Sequence, residues 1–476
     1  MIAEATVEQM RDVLVAQRRA FMAEGPVAAA TRKDRIRRVI DMLVSHERRL
    51  CDAMSDDFGY RPVTMSRFAD IASALKALKH ARENLDRWMR DDVRDLSAPY
   101  PALGAKGYVR HQPKGVVGNI SPWNFPVSLA LAPLAGIFAA GNRAMIKPSE
   151  FTPATSELLR ELVASAFDKD ELAVFPGGPE VGRAFAGLPF DHLLFTGATE
   201  IGRHVLRAAA ENLVPVTLEL GGKSPVIIGR SADLHQAADR IVLGKMLNAG
   251  QICLAPDYVL VSEEARDDIV DAIKVSVANT YPSAEANKDY AAIINDRHRA
   301  RLDGLVADAR AKGAEVIDVN GGNQDRTAGI KRPLTLLCNV NDEMRVMREE
   351  IFGPILPILT YRNVEEAISY VNERPRPLGL YYFGGDAAEE ELVLQNTTSG
   401  GVTINDVLQH VAHEELPFGG IGPSGMGVYH GEDGFRTFSH ARTVYRQTLQ
   451  DLAGMAGTRP PYGEVLDRTL AANIVR

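Results

Sequence analysis

One of the three cysteines in this chain sits where a nucleophile can work. Cys51 lies within a charged, helix-patterned segment (RRLCDAM), and Cys338 ends an apolar strand. Cys253 lies in NAGQICLAPDYVL, after a helix ending near Asn248 and before a strand starting near Asp257. Gly250 allows an unusual backbone at that junction, and Pro256 blocks continuation of the helix. A thiol on such a loop can face a cleft and attack an electrophilic carbon. Position alone still favours the structural, buried thiol that most cysteines are.

A thiolate nucleophile needs partners. Glu219 stands at a strand end in TLELGGKSP, followed by Gly221 and Gly222, whose lack of side chains suits close approach of a ligand. Asn124 follows another strand in SPWNFP, between Trp123 and Phe125 with a proline on either side. An amide held among apolar groups must satisfy its donors, and an oxyanion is one acceptor for them. Taken singly, each also reads as a turn residue. A nucleotide site needs phosphate-binding backbone. FTGATEIGRHV places Gly197 after a strand and Gly202 in the first turn of the next helix. Thr199 is expected to cap that helix, whose N-terminal N–H groups can receive a diphosphate. KPSE (147–150) ends the neighbouring strand, and Lys147 and Glu150 there can hold ribose hydroxyls. A solvated strand-end loop accounts for the same residues.

The elements that must position these groups alternate. Residues 1–96 read as helical, and 97–112 as an exposed hairpin inserted into the first domain. From Gly115, short apolar runs (115–120, 143–147, 172–175, 192–195, 215–220) alternate with helices, including a buried one over Phe125–Gly141. That pattern means a parallel sheet covered on both faces, with ligands beyond the carboxyl ends of its strands. A second alternating block runs from about Ser224 to Asn405, and a glycine-rich tail follows Leu416. The expected fold is α/β, two doubly wound Rossmann-like domains with a cleft between them plus a small β arm.

The whole-chain numbers exclude other classes. The 476 residues are 45% hydrophobic and 24% charged, which is ordinary for a globular protein. With 54 basic and 62 acidic residues the net charge is −8, a poor match to nucleic acid or anionic membrane. Three cysteines cannot build a disulfide framework, so a reducing compartment, the cytoplasm, is expected. The N-terminus lacks the pattern of a signal peptide. No metal is expected.

Read together, the motifs resemble those of the NAD(P)-dependent aldehyde dehydrogenase superfamily. They stand in that family's order: PWNFP at 122–126, KPSE at 147–150, FTGATEIG at 195–202, ELGGKSP at 219–225, GQIC at 250–253, EEIFGP at 349–354 and PFGG at 417–420. The resemblance implies that Cys253 attacks the aldehyde carbon. It implies that the Asn124 amide and the Cys253 N–H form the oxyanion hole, and that Glu219 is the general base. For the cofactor, NAD with NADP possible, it implies contacts from Ser121, Pro122, Trp123, Lys147, Glu150, Gly178, Gly182, Gly197, Ala198, Thr199, Gly202, Leu220, Glu350 and Phe352. Many members carry Ser where this chain has Ala198. It further implies a cofactor domain (1–96 and 113–219), a catalytic domain (220–420) and a homodimer built by 97–112 and 421–476. Within the family the Cys253 context and tail resemble the class 3 branch, including bacterial coniferyl aldehyde dehydrogenases. That implies an aromatic aldehyde such as coniferyl aldehyde, or a medium- to long-chain aliphatic one. A cofactor-independent cysteine esterase is the alternative of another class.

Overall fold

The computed structural model describes residues 6–98, 100–319 and 329–475. Pro99, within the expected hairpin, lies outside the described residues, as do the first five residues of the chain.

Among the described residues, three sheets organise the molecule. The first has six strands in the order Gly425–Met426, Val216–Leu220, His192–Gly197, Val116–Ile120, Arg143–Lys147, Leu172–Val174. All neighbours are parallel except the Gly425–Met426 edge. These strands are nearly continuous apolar runs because helices cover both faces. Strand 116–120 has a later strand on each side, 143–147 and 192–197. The order of connection therefore reverses there, and the loops leaving 116–120 and 192–197 open a crevice. Asn124 is on the first of those loops and Gly197–Thr199 on the second.

The second sheet has seven strands, Glu315–Asp318, Thr335–Cys338, Ile355–Tyr361, Tyr258–Ser262, Pro225–Ile228, Gly379–Phe383 and Gly401–Ile404. It is parallel except for its first strand. The chain passes from one sheet to the other through Gly221–Ser224. The carboxyl end of strand 216–220 thus leads straight into the start of strand 225–228, and Cys253 lies on the loop that enters strand 258–262.

Some expectations need correction. The exposed hairpin is one part of a three-stranded antiparallel sheet. In it Lys106–Pro113 pairs with Asp92–Arg94 on one side and Ser439–Arg446 on the other. Phe125–Gly141 is buried as expected but is two short helices, Ser128–Leu131 and Leu134–Ala139. Pro133 divides them because it lacks the N–H that a continuous helix requires. The helical N-terminal region contains a π-helical segment, Arg67–Ala72. The glycine-rich tail contributes Gly425–Met426 to the edge of the first sheet. Among the described residues no helix is long and apolar enough to cross a membrane.

Candidate active site

Cys253 is placed by an unusual turn. Helix Leu234–Met246 ends, and Asn248 (φ 49°), Ala249 (φ 53°) and Gly250 (φ 73°) follow in succession in the left-handed region. Each non-glycine residue held there costs about 1–2 kcal/mol, and such strain gathers at functional sites. The surrounding bonds hold the turn. The buried Gln251 side chain donates from Nε2 to Asn248 O at 2.9 Å and to Ala292 O at 3.0 Å. Its Oε1 accepts the Ile294 N–H at 3.0 Å. Gly250 is required for its space as well as its φ, because a Cβ there would lie 2.5 Å from Gly353 O and 3.0 Å from Lys245 O. Gly250→Ala is therefore expected to destabilise the fold by about 3 kcal/mol, read from the midpoint of urea unfolding. A midpoint equal to wild type would show that the turn is not the constraint described.

The Cys253 side chain is partly exposed and packs on the apolar cluster that also seats Phe125, Leu247 and Val411. Burial is the main influence on its thiol, followed by the negative charges of Glu350 and Glu219. Together they push it up to about 12, while the N–H groups of Cys253 and Leu254 act the other way. Those N–H groups aim positive charge at the sulfur. Asn124 is buried and close by: its Nδ2 donates to Gln251 O at 3.1 Å, and its backbone carbonyl accepts from Asn248 Nδ2 at 3.0 Å. One amide hydrogen of Asn124 is thereby taken, leaving the other for a ligand.

Glu219 is the next-to-last residue of strand 216–220, opposite Thr196 on one side and Gly425 on the other. It is 2% exposed, and neither carboxylate oxygen has a hydrogen-bond partner. Burial alone holds its pKa well above the usual carboxylate range. The buried Tyr429 belongs to the apolar cluster on which Cys253 packs, and burial, then Glu219 and Cys253, raise its hydroxyl well above the usual range.

The nucleotide side gathers the remaining residues. Ala198, not Thr199, is the N-cap of helix Thr199–Ala210; the Thr199 hydroxyl instead donates to Pro423 O at 3.2 Å. A methyl cannot cap, so this N-terminus keeps its first-turn N–H groups available to an anion. Gly202 serves packing: a Cβ there would meet Leu220 Cδ2 at 2.7 Å. Lys147 is buried with its Nζ 3.4 Å from Glu150, and Gly182 lies against the same lysine stem. Gly178 is the N-cap of helix Pro179–Ala186, the helix that carries Gly182. Ser121 Oγ is buried without a partner, while its N–H donates to Lys147 O at 3.1 Å. After Pro122, the Trp123 ring packs against Phe352 at 5.3 Å and His298 at 5.0 Å.

Glu350 departs from expectation in one respect. The open side of Gly221 is filled by the Glu350 carboxylate rather than left for a ligand. Burial, then the charge of Asp257, pushes Glu350 up to about 8 against the pull of the Gly222 N–H, Lys223 and Arg301. Its Oε1 has no partner. The loop carrying Glu350 and Phe352 is pinned by Arg301, whose guanidinium donates to Glu350 O at 3.1 Å and to Ile351 O. Lys223 pairs with Asp257, whose other oxygen accepts the Ile351 N–H at 3.0 Å. An uncapped helix start, two orphaned buried oxygens and a lysine–glutamate pair at a strand end fit a dinucleotide lying along the crevice.

Several contributors were not singled out from sequence. Gln251 and Asn248 flank Gly250 inside the quoted NAGQIC, and their amide side chains were the available signal. Lys245, fully buried without a hydrogen-bond partner and lowered by burial to about 8, sits in the last turn of the helix that leads into Cys253's loop. Nothing in its local sequence marks it.

Comparison with known proteins adds an independent line. Residues 1–444 match the aldehyde dehydrogenase family. A probable coniferyl aldehyde dehydrogenase of Caulobacter vibrioides is 55% identical over 98% of this chain and 96% of its own. The coniferyl aldehyde dehydrogenase of a Pseudomonas species is 51% identical with the same coverage. Among solved structures, Staphylococcus aureus AldH in a substrate-bound state superposes with a TM-score of 0.91 at 36% identity, covering 98% of this chain and 99% of that one.

Proposed function

This chain belongs to the aldehyde dehydrogenase family and is an NAD(P)-dependent oxidoreductase of aldehydes, and we propose that its substrate is an aromatic aldehyde of the coniferyl type, oxidised to the carboxylic acid. The names of the two relatives at 55% and 51% identity support that substrate. The observation that carries the chemistry is Glu219. A buried carboxyl group with two unpartnered oxygens is costly to keep, and perturbed groups of this kind gather at catalytic sites.

On this reading Cys253 reacts as its thiolate, the thiol proton having passed to solvent water, and the sulfur adds to the carbonyl carbon as the C=O π pair moves onto oxygen. Negative charge gathers on the carbonyl oxygen, where the free amide hydrogen of Asn124 and the Cys253 N–H receive it. Bound NAD(P)+ supplies the acceptor for the hydride that leaves this adduct, and a thioester to Cys253 remains. Glu219 then takes a proton from water as that water attacks the thioester, and the acid departs. Ser121, Lys147, Glu150, the start of helix 199–210, Glu350 and Phe352 hold the dinucleotide. Residues 1–96 with 113–219 form the cofactor domain, and 220–420 form the catalytic domain. Glu150 repels a 2′-phosphate, so NAD is preferred over NADP. The chain works in the cytoplasm as a homodimer; the exposed Val93 of the three-stranded sheet, with Leu449 and Met455 beyond it, offers apolar surface to a second copy.

A panel of aldehydes with both cofactors tests substrate and cofactor together. With NAD, coniferyl aldehyde is expected to exceed a long-chain saturated aldehyde in kcat/KM by about tenfold or more, a difference a shaped apolar pocket can supply. The reverse order would assign the aliphatic substrate instead. Ester cleavage without any aldehyde-dependent NADH would assign the cofactor-independent esterase.

A further inference from the structure

The loop that carries Asn124 is gripped from behind by a buried ion pair. Arg61 and Asp70 lie 2.7 Å apart with both side chains 0% exposed. Asp70 Oδ1 accepts the N–H groups of Val127 and Ser128 at 3.1 and 2.9 Å, immediately after Asn124-Phe125-Pro126. The Arg61 guanidinium lies 5.3 Å from the centre of the Phe125 ring and 4.9 Å from that of Phe58. The Phe58 ring in turn stands 6.2 Å from Trp123. Both neighbours of Asn124 are therefore held by the same cluster. The front of the loop is held separately, through Gln251 O and Asn248 Nδ2.

We propose that Arg61 and Asp70 are positioning residues for the oxyanion hole, setting the angle at which the free hydrogen of Asn124 meets the substrate oxygen. This rests on the reading of Asn124 given above. Two features argue that the pair is kept for geometry. Burying two charges costs desolvation energy, and well-packed apolar replacements of such pairs are often as stable or more so. Asp70 also stands in the π-helical segment Arg67–Ala72, a rare local geometry that recurs at functional sites. The widened turn directs one carboxylate to two backbone donors of another element. Ridge packing between helices would leave the loop's orientation to apolar contacts alone, which tolerate rotation.

A double-mutant cycle tests the proposal. Arg61→Met with Asp70→Asn keeps an oxygen for Val127 and Ser128 and fills the arginine stem, while removing the charges and the planar group over Phe125. Dehydrogenase activity and cofactor-free hydrolysis of p-nitrophenyl acetate are both measured, since each uses Cys253 and the same oxyanion. Both are expected to fall about tenfold or more in kcat, as small misplacements at a reacting centre do. In an Asn124→Ala background the same pair of changes is expected to cost less than about twofold, because the residue it positions is gone. An equal loss in both backgrounds, or wild-type rates from the pair variant, would overturn the proposal. Should the pair variant not fold, Arg61→Lys enters the same cycle; it keeps the charge opposite Asp70 and loses the flat face over Phe125. Asn124→Ala at wild-type rate would instead remove the oxyanion-hole reading itself.

Discussion

Cys253→Ala is expected to abolish aldehyde oxidation, lowering kcat by at least about 10⁴-fold. Removal of a covalent nucleophile leaves only binding and oxyanion stabilisation, and losses of that order are typical. The fold should survive, since the residue is partly exposed and loses one atom; the thermal midpoint is expected within a few degrees of wild type. The competing thiols do not confuse the experiment, because Cys51 and Cys338 are buried. The electrostatics make a second, linked expectation. Burial and the charges of Glu350 and Glu219 hold the Cys253 thiol at about 12 in the free enzyme. The reactive form is the thiolate, so inactivation of the free enzyme by iodoacetamide should keep accelerating with pH beyond the ordinary thiol range. A plateau near neutral pH would mean that the sulfur is already ionised and that its surroundings are more positive than described. Retained oxidation by the alanine variant would dismiss Cys253 as nucleophile altogether.

The legible parts of this protein are those whose cause is local. Runs such as GVVGNI, RAMIK and HLLF announce parallel strands because they are buried on both faces and need no polar alternation. Cys253, Glu219 and Asn124 stand in glycine- or proline-marked turns at strand and helix ends, where sequence shows that the backbone is being bent for a purpose. The two-residue strand Gly425–Met426 was not legible, because its identity as a strand comes wholly from its partner Val216–Leu220. Lys106–Pro113 was legible as β structure within the hairpin, but its pairing was not, because its long partner, Ser439–Arg446, lies near the other end of the chain. Arg61 and Asp70 escaped for a related reason: they act on Phe125, Val127 and Ser128, far along the chain, and a charged residue in a helix-patterned stretch usually faces water. Gly221 was read correctly as a place of close approach, but the approaching group is the chain's own Glu350. Sequence marks that space is needed without saying what fills it.

Glu219→Gln is expected to separate the two halves of the reaction. Glutamine has nearly the same shape, and the site it enters already holds a carboxyl group whose burial favours its neutral form, so the fold should be undisturbed. Addition of Cys253 to the aldehyde and departure of the hydride do not need this base, and a burst of about one NADH per site should remain. Hydrolysis of the thioester does need it, and steady-state turnover should fall by about 10²–10⁴-fold, the usual worth of a positioned general base. Mass spectrometry of the quenched variant should then find the acyl group on Cys253. The pH dependence gives the sign independently. Only the ionised carboxylate can take a proton from water, and the Glu219 pKa is raised, so wild-type deacylation should climb as pH rises through that raised value. The glutamine variant has nothing there to ionise, and that limb of its profile should be flat. Loss of the burst together with turnover would place Glu219 earlier in the reaction, at activation of the thiol. An unchanged pH limb in the variant would assign the titration to another group, of which Glu350, held at about 8 in the same interior, is the nearest in kind.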